Sequence, residues 1–137
     1  MNFLLQIARK MSLCSLEVPI VAATVKDGKI ISICSNATII SKKEWRHAEF
    51  CVIDKTIDFA SSRFLSDYDL YVTLEMCDLC LAMTQVVRIG RVFFASYNDK
   101  FGSLYVQKSY LNTNIIGGFC ERESSQILTD FFQKMRS

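Results

Sequence analysis

Proline, histidine and tryptophan each occur only once in the 137 residues, and glycine occurs five times. With half of the residues apolar and 22% charged, this composition excludes a collagen-like or disordered chain. No apolar run approaches the roughly 20 residues that cross a membrane, and no signal-peptide core follows the amino-terminal segment. We therefore expect one compact cytoplasmic domain over residues 1–137, with no membrane partner.

A strong charge of either sign is also lacking. The chain has 16 lysines and arginines against 14 aspartates and glutamates, which gives a net charge of +2. That balance neither requires nor excludes a nucleic-acid partner, so the question depends on where the basic residues lie.

The cysteine pattern does not predict a disulfide framework. Six cysteines are scattered along the chain, and only Cys77 and Cys80 are close in sequence. In a reducing cytoplasm this spacing leaves metal binding or redox chemistry for the close pair. The isolated Cys14, Cys34 and Cys120 are expected to be small buried hydrophobic residues.

Hydrophobic periodicity predicts alternating helices and strands. Helices are expected over residues 2–15, 47–62, 78–89 and 121–134, and strands in the segments "PIVAATV", "KIISICS", "DLYVTL", "RVFFAS" and "NIIGG". The turn "KDGK" joins the first two strands as a hairpin, and a helix joins the next two, which should be parallel. The expected fold is therefore a three-layer α-β-α structure of the α/β class, with a mixed five-stranded sheet.

The one histidine, His47, begins the second predicted helix, and Cys77 and Cys80 begin the third. Residues three apart share one side of a helix, so both sulfurs can reach one ion. One imidazole and two thiolates suit tetrahedral zinc and leave a fourth position for water. Glu49 is displaced by two residues from His47 and can move protons beside the metal.

Two other interpretations of these residues remain open at this point. Cys51 lies one helical turn after His47, so it could complete a closed structural zinc site with no water position. Alternatively, Cys77 and Cys80 could form a thioredoxin-like redox pair, although "MCDLC" lacks a neighbouring tryptophan.

The segments "HAE" and "TLEMCDLC" resemble the signature of the zinc-dependent nucleobase deaminases, His-x-Glu followed by Pro-Cys-x-x-Cys. Within that cytidine/deoxycytidylate deaminase superfamily, the chain is most similar to the bacterial tRNA-specific adenosine deaminases. The similarity extends over residues 3–136 and includes "EVPI", "KDGKII", "RVFFAS" and "ILTDFFQKMR".

This resemblance implies a cytidine-deaminase-like fold with one zinc per subunit, bound by His47, Cys77 and Cys80. The implied reaction is attack of zinc-bound hydroxide on C6 of adenosine, with Glu49 as the proton shuttle. The implied substrate is the wobble adenosine in the anticodon stem-loop of a transfer RNA, and the implied assembly is a homodimer.

The resemblance also implies that Asn36, Ala48 and Asn98 contact the target nucleotide. The chain departs from the family pattern at several positions: Met76 replaces proline, Val21 replaces glycine, Asn98 replaces aspartate, Thr113 replaces histidine, and "KEWR" replaces Asp-Pro-Thr-Ala before His47. The changes at Val21, Asn98 and Thr113 bear on pocket shape and RNA contact, whereas Met76 removes a rigid turn before Cys77. Basic residues that could reach RNA are Lys42, Lys43, Arg46, Lys100, Lys108, Lys134 and Arg136.

Two rival functions remain. One is a related deaminase of a free base or nucleoside, of the guanine or cytosine type. The other is a non-catalytic, zinc-stabilised domain, although a purely structural zinc site would have no use for Glu49.

Overall fold

A computed structural model describes residues 1–103 and 113–137, and within them five strands form one sheet. In chain order the elements are α1 (Asn2–Cys14), β1 (Val21–Lys26), β2 (Lys29–Ser35), α2 (Thr38–Ser41), α3 (Ala48–Ala60), β3 (Asp69–Leu74), α4 (Asp78–Val86), β4 (Arg91–Ser96), β5 (Asn114–Ile116) and α5 (Glu121–Arg136). In this described part of the chain, no helix is long and apolar enough to span a bilayer.

The strand order is β2-β1-β3-β4-β5, which confirms the expected mixed sheet. The β1 strand pairs antiparallel with both β2 and β3, whereas β3, β4 and β5 are parallel. The hairpin turn between β1 and β2 consists of Asp27 and Gly28, both with positive φ. This backbone matches the twist of the flanking strands and is readily adopted by an Asp-Gly pair.

Helices cover both faces of the sheet, as the sequence predicts. On one face, α3 and α4 bury Val52, Ile53 and Leu81 with Val72 and Phe94 of the strands. On the other face, α1 and α5 form a second core whose buried residues are Leu4, Leu5, Ala8, Val21, Ala23 and Ile127. Successive residues of a strand point to opposite faces, so Ala22 belongs to the first core and its neighbours to the second.

One edge of the sheet collects the ends of several elements. The last residue of β2 pairs with the first residue of β1, and Leu74 at the end of β3 pairs with Ser96 at the end of β4. The helices α3 and α4 follow β2 and β3 and therefore begin at this edge. Side chains at these helix starts and in the adjacent loops are thus brought together.

The structure corrects several expectations about boundaries and burial. The helix α3 ends at Ala60 and α4 ends at Val86, and positive φ values at Ser61, directly after α3, and at Arg88, two residues after α4, end the helical path. Cys34 is buried as predicted, but Cys14 and Cys120 are exposed, so that prediction was wrong for both. They lie at the end of α1 and just before α5, where neither faces a core.

Val21, which departs from the family pattern, is fully buried and packs with α1 and α5. The cluster that contains Ala48 and Cys80 lies on the opposite face of the sheet. The valine side chain, which glycine would lack, therefore fills the core between the sheet and the helices α1 and α5.

We predict that Val21→Ala lowers the free energy of unfolding by about 2 kcal/mol, because it removes buried methyl groups and leaves a cavity. Metal content should not change. Urea denaturation and metal analysis measure the two effects, and Leu13→Ala, at a position that is 72% exposed, is the control. A loss of metal without a loss of stability would contradict the placement of Val21.

Candidate active site

Three metal-binding side chains meet where α3 and α4 begin. His47 immediately precedes α3, Cys77 immediately precedes α4, and Cys80 lies in the first turn of α4. The Nδ1 atom of His47 lies 3.3 Å from the sulfur of Cys80 and 3.5 Å from that of Cys77. All three candidate ligand atoms lie within 4.8 Å of one another.

These distances suit tetrahedral zinc. Zinc bonds of roughly 2.0 Å to nitrogen and 2.3 Å to sulfur place the two ligand atoms about 3.5 Å apart. Nδ1 is the imidazole nitrogen that faces both sulfurs, so it is the candidate ligand atom of His47. Soft sulfur and imidazole donors favour zinc over magnesium or calcium, so the residues fit the expected metal.

The two cysteines share a proton in a way that suits metal binding. The Cys80 thiol donates to the Cys77 sulfur, and this hydrogen bond lowers the pKa of Cys77 to about 4. The same contact raises the pKa of Cys80, and burial raises it further. A divalent cation between these sulfurs would replace the shared proton, so that both bind as thiolates.

Glu49 lies in the first turn of α3 and is 5% exposed. Burial raises the pKa of its carboxyl group to about 7, and the carboxyl group interacts with the sulfur of Cys80. Within residues 1–103 and 113–137, the candidate ligand group contains His47, Cys77 and Cys80 but not this carboxylate. Glu49 therefore lies beside the candidate ligand group without belonging to it, and its acid-base role stays a prediction.

Cys51 does not join the candidate ligand group of the described residues. It is partly exposed and packs against the core between the sheet, α3 and α4. Residues 104–112 contain no histidine, cysteine, aspartate or glutamate that could complete the site. The geometry thus favours a three-ligand site with one open position over the closed structural site.

The turn before Cys77 is fixed without the proline of the family pattern. The side chain of Met76 is 2% exposed and packs in the core of α3 and α4. Its carbonyl oxygen accepts two hydrogen bonds from Ser103, one from the backbone N–H at 3.1 Å and one from the hydroxyl at 3.0 Å. In the family pattern the proline ring restricts this turn. In this chain the burial of Met76 and its two hydrogen bonds to Ser103 restrict it instead.

Comparisons with known proteins agree with this geometry. The family model described as MafB19-like deaminase matches residues 3–136. The tRNA-specific adenosine deaminase of Rickettsia bellii is 34% identical, with 88% of this chain and 89% of that protein covered.

The chain belongs to the family of tRNA-specific adenosine deaminases.

Solved structures confirm the three-layer, cytidine-deaminase-like fold. One structure, from a study of A-to-I editing by tRNA:A34 deaminases, is 32% identical with a TM-score of 0.84, covering 93% of this chain and 97% of that one. A guanine deaminase from Nitrosomonas europaea reaches a TM-score of 0.83 at only 14% identity, covering 95% of this chain and 81% of that one. The guanine deaminase therefore resembles this chain in fold alone, whereas the adenosine deaminases resemble it in both fold and sequence.

The three residues that the resemblance assigns to the nucleotide lie at or near the same edge of the sheet. Asn36 follows β2 and is 5% exposed, Ala48 is the first residue of α3 and fully buried, and Asn98 follows β4. The side-chain oxygen of Asn98 accepts the backbone N–H of Phe101 at 3.1 Å, which stabilises its own turn. Contact of these three residues with a nucleotide stays a prediction.

Thr113, another departure from the adenosine deaminase pattern, does not lie at the candidate site. Its hydroxyl accepts a hydrogen bond from Gln85 at 2.9 Å and donates to the carbonyl oxygen of Ile89 at 3.3 Å. It precedes β5 at the edge where β4 and β5 begin, which is opposite to the site. The residue joins the end of α4 to β5 and is buried.

The proposed RNA-contacting residues divide into two groups. Lys42, Lys43, Arg46 and Lys100 are exposed on the loops that follow β2 and β4. By contrast, the ammonium group of Lys134 donates to the carbonyl oxygens of Ser12 and Leu13, so it connects α5 to α1. Arg136, the last residue of α5, is exposed, and Lys108 lies outside the described residues.

Sequence reasoning gave no role to Glu17 or Glu75. Both are buried, and Glu75 accepts the backbone N–H of Asn98 at 2.9 Å. A glutamate in a loop or after a strand is ordinarily a surface residue, so the only available signal was the position of each beside a family motif.

We predict that Cys51→Ser retains about one zinc per chain, whereas Cys77→Ser and Cys80→Ser bind zinc more than roughly 100-fold more weakly. Loss of a direct ligand should exceed the 10- to 100-fold effect of losing an outer partner. Zinc titration of the purified variants measures this, with exposed Cys14→Ser as the control. Zinc loss from Cys51→Ser would contradict the three-ligand site.

Proposed function

We propose that this protein hydrolyses adenosine to inosine at the wobble position of a transfer RNA anticodon. The observation that carries the proposal is a buried carboxyl group, Glu49, beside an open group of His47, Cys77 and Cys80. The relatives named as tRNA-specific adenosine deaminases supply the substrate class. Since that substrate is transfer RNA, we place the enzyme in the cytoplasm.

The roles of the side chains follow from their chemistry. His47, Cys77 and Cys80 would hold one zinc ion, and two thiolates with a neutral imidazole balance its charge of 2+. When bound, zinc supplies Lewis acidity that makes water nucleophilic near neutral pH. The fourth position, which Cys51 does not fill, leaves room for that water.

Glu49 would carry the protons of the reaction. Its carboxylate accepts a proton from the attacking water and delivers it to the ring nitrogen next to C6 of adenine. The second proton of that water, now on the C6 hydroxyl, is passed by Glu49 to the amino group, which leaves as ammonia while the C6 oxygen remains as the carbonyl of inosine. A carboxyl group with a pKa raised to about 7 can both accept and donate a proton in this sequence.

Residues around the mouth of the site suit a single-stranded RNA loop. Trp45 is 52% exposed and lies two residues before His47, where its ring could stack on a base. Exposed Lys42, Lys43 and Arg46 flank it, and Lys100 lies on the loop after β4. Residues 42–46 carry three basic side chains against one acidic one, Glu44, and this excess of positive charge favours an RNA phosphate backbone over a neutral nucleoside.

We predict that the protein forms inosine in an anticodon stem-loop with a kcat/KM at least about 100-fold higher than for free adenosine, because remote RNA contacts contribute to transition-state binding. Binding should weaken as salt rises. Chromatography of digested RNA detects inosine, and guanine and cytidine are tested in parallel. Equal turnover of the stem-loop and free adenosine, or turnover of guanine alone, would favour the rival deaminases.

We predict that Glu49→Gln lowers deamination by about 100-fold or more, because the amide cannot carry the proton. Zinc content and thermal unfolding should stay close to those of the wild type, since glutamine has nearly the same size. Exposed Glu121→Gln is the control. Near-normal turnover by Glu49→Gln would exclude the proposed role.

The homodimer implied by the resemblance has a candidate surface on α4. Leu79, Met83 and Val86 lie at helical spacing on one side of this helix, and the exposed fractions of Leu79 and Val86 are 48% and 70%. Phe59 on the neighbouring α3 is 67% exposed. Adjacent apolar side chains of this size on the surface are typical of an interface.

We predict that Val86→Asp converts the proposed dimer to a monomer, because it introduces a charge into an apolar contact. Analytical ultracentrifugation measures the mass in solution. The control is Leu16→Asp, at a position that is 65% exposed and lies after α1. A dimer that persists in Val86→Asp would place the interface elsewhere.

A further inference from the structure

Glu17, in the loop between α1 and β1, is a charged side chain with no solvent exposure. It has no part in the proposed chemistry, since it does not belong to the candidate ligand group. Burial of a carboxylate is unfavourable unless hydrogen bonds replace its water. The donors that surround Glu17 therefore indicate what its burial achieves.

Five donors surround the two carboxylate oxygens. Oε1 accepts the side-chain amide of Asn36 at 2.8 Å, the hydroxyl of Thr38 at 3.2 Å and the backbone N–H of Val18 at 3.2 Å. Oε2 accepts the backbone N–H groups of Ile39 at 2.9 Å and Ile40 at 3.1 Å. The Glu17 carboxylate thus binds both the side chain of Asn36, which follows β2, and backbone N–H groups of α2.

These contacts fix which end of the Asn36 amide faces Glu17. A carboxylate only accepts hydrogen bonds, so the NH₂ group must face it, and the other hydrogen of that group points to the Thr38 hydroxyl at 3.3 Å. The amide oxygen accepts no hydrogen bond from the described residues, and it is not an unsatisfied buried atom. That oxygen is therefore not fully sealed from solvent and keeps its acceptor capacity for a ligand.

The same segment leads directly to the metal-binding side chain. The backbone N–H of Ala37, the residue after Asn36, donates to the carbonyl oxygen of Arg46 at 2.9 Å. His47 is the next residue after Arg46. Glu17, Asn36 and the start of α3 are thus connected by short hydrogen bonds, so Asn36 is held at a fixed place relative to His47.

We infer that Glu17 is a positioning residue that orients the Asn36 amide so that its oxygen faces the nucleotide. This inference rests on the proposed function for its substrate. Through Asn36, Glu17 selects a nucleotide that offers an N–H or O–H donor at this point of the pocket. A purely structural glutamate would stabilise the loop without influencing which atom of Asn36 meets the substrate.

Glu17→Gln tests this orientation because glutamine has one acceptor oxygen instead of two. If that oxygen keeps the N–H groups of Ile39 and Ile40, the new NH₂ group faces Asn36, whose amide must then turn its oxygen toward position 17. The pocket would gain a donor where it had an acceptor. We expect kcat/KM for the stem-loop to fall about 10- to 100-fold.

A double-mutant cycle with Asn36→Ala separates positioning from general destabilisation. If Glu17 acts through Asn36, then Glu17→Gln should have almost no further effect on kcat/KM when Asn36 is already alanine. Zinc content should stay unchanged in all variants, and exposed Glu123→Gln is the control. Equal effects of Glu17→Gln in the presence and absence of Asn36 would overturn the inference.

A second measurement does not depend on the substrate. The side-chain NH₂ signals of Asn36 in an NMR spectrum, assigned by their loss in Asn36→Ala, should shift and exchange faster with solvent in Glu17→Gln. Unchanged signals would overturn the inference, even if the RNA is deaminated. If the RNA is not deaminated but the signals shift, the proposed function fails while the contact between Glu17 and Asn36 stands.

A paired variant covers the case in which Glu17→Gln alone folds poorly. In Glu17→Gln with Asn36→Asp, the glutamine NH₂ group can donate to the aspartate, which again presents an oxygen to the pocket. This pair should fold, and its kcat/KM should exceed that of Asn36→Asp alone. No improvement over Asn36→Asp would count against the positioning role.

Discussion

The parallel pairing of β3 with β4, in which Leu74 lies opposite Ser96, fixes where α4 begins and therefore where Cys77 and Cys80 lie. The antiparallel pairing of β1 with β2 and β3 brings the end of β2 to the same edge, so α3 begins there with His47. Both helices are held by burial of their apolar faces on the sheet. The short distances from Nδ1 of His47 to the sulfurs of Cys77 and Cys80 thus depend on strand register and core packing more than on local sequence.

Three buried glutamates lie around this edge and differ in how their carboxylates are satisfied. Five donors surround Glu17, and Glu75 accepts a backbone N–H from the loop after β4. For Glu49 burial outweighs the stabilising contacts, so its pKa is raised to about 7. Hydrogen bonding to the ionised form and desolvation act in opposite directions on a carboxyl group. Glu17 and Glu75 thus organise backbone near the candidate site, whereas Glu49 is the carboxyl group to which the proposed function assigns proton transfer.

The sequence was sufficient for the parts of the structure that depend on periodicity and spacing. Alternating apolar residues predicted the five strands, and His47 with Glu49 and the two cysteines predicted the metal group, because ligand chemistry is specific to residue type. It was not sufficient for partners that are distant in the chain. Glu17 reaches Asn36 across 19 residues, and nothing local distinguishes it from a surface glutamate. Exposure of Cys14 and Cys120 was missed for the same reason, since burial is decided by neighbours in space.

The replacement of the family proline by Met76 changes how the metal site is supported. Proline restricts the turn through its own ring, whereas Met76 is held by Ser103, which lies in the loop after β4 that also contains Asn98. The backbone at Gly102, next to Ser103, is packed closely, because a side chain there would come within 2.5 Å of the Glu75 carboxylate. The turn that directs Cys77 toward the metal position is thus coupled to the segment expected to face the nucleotide.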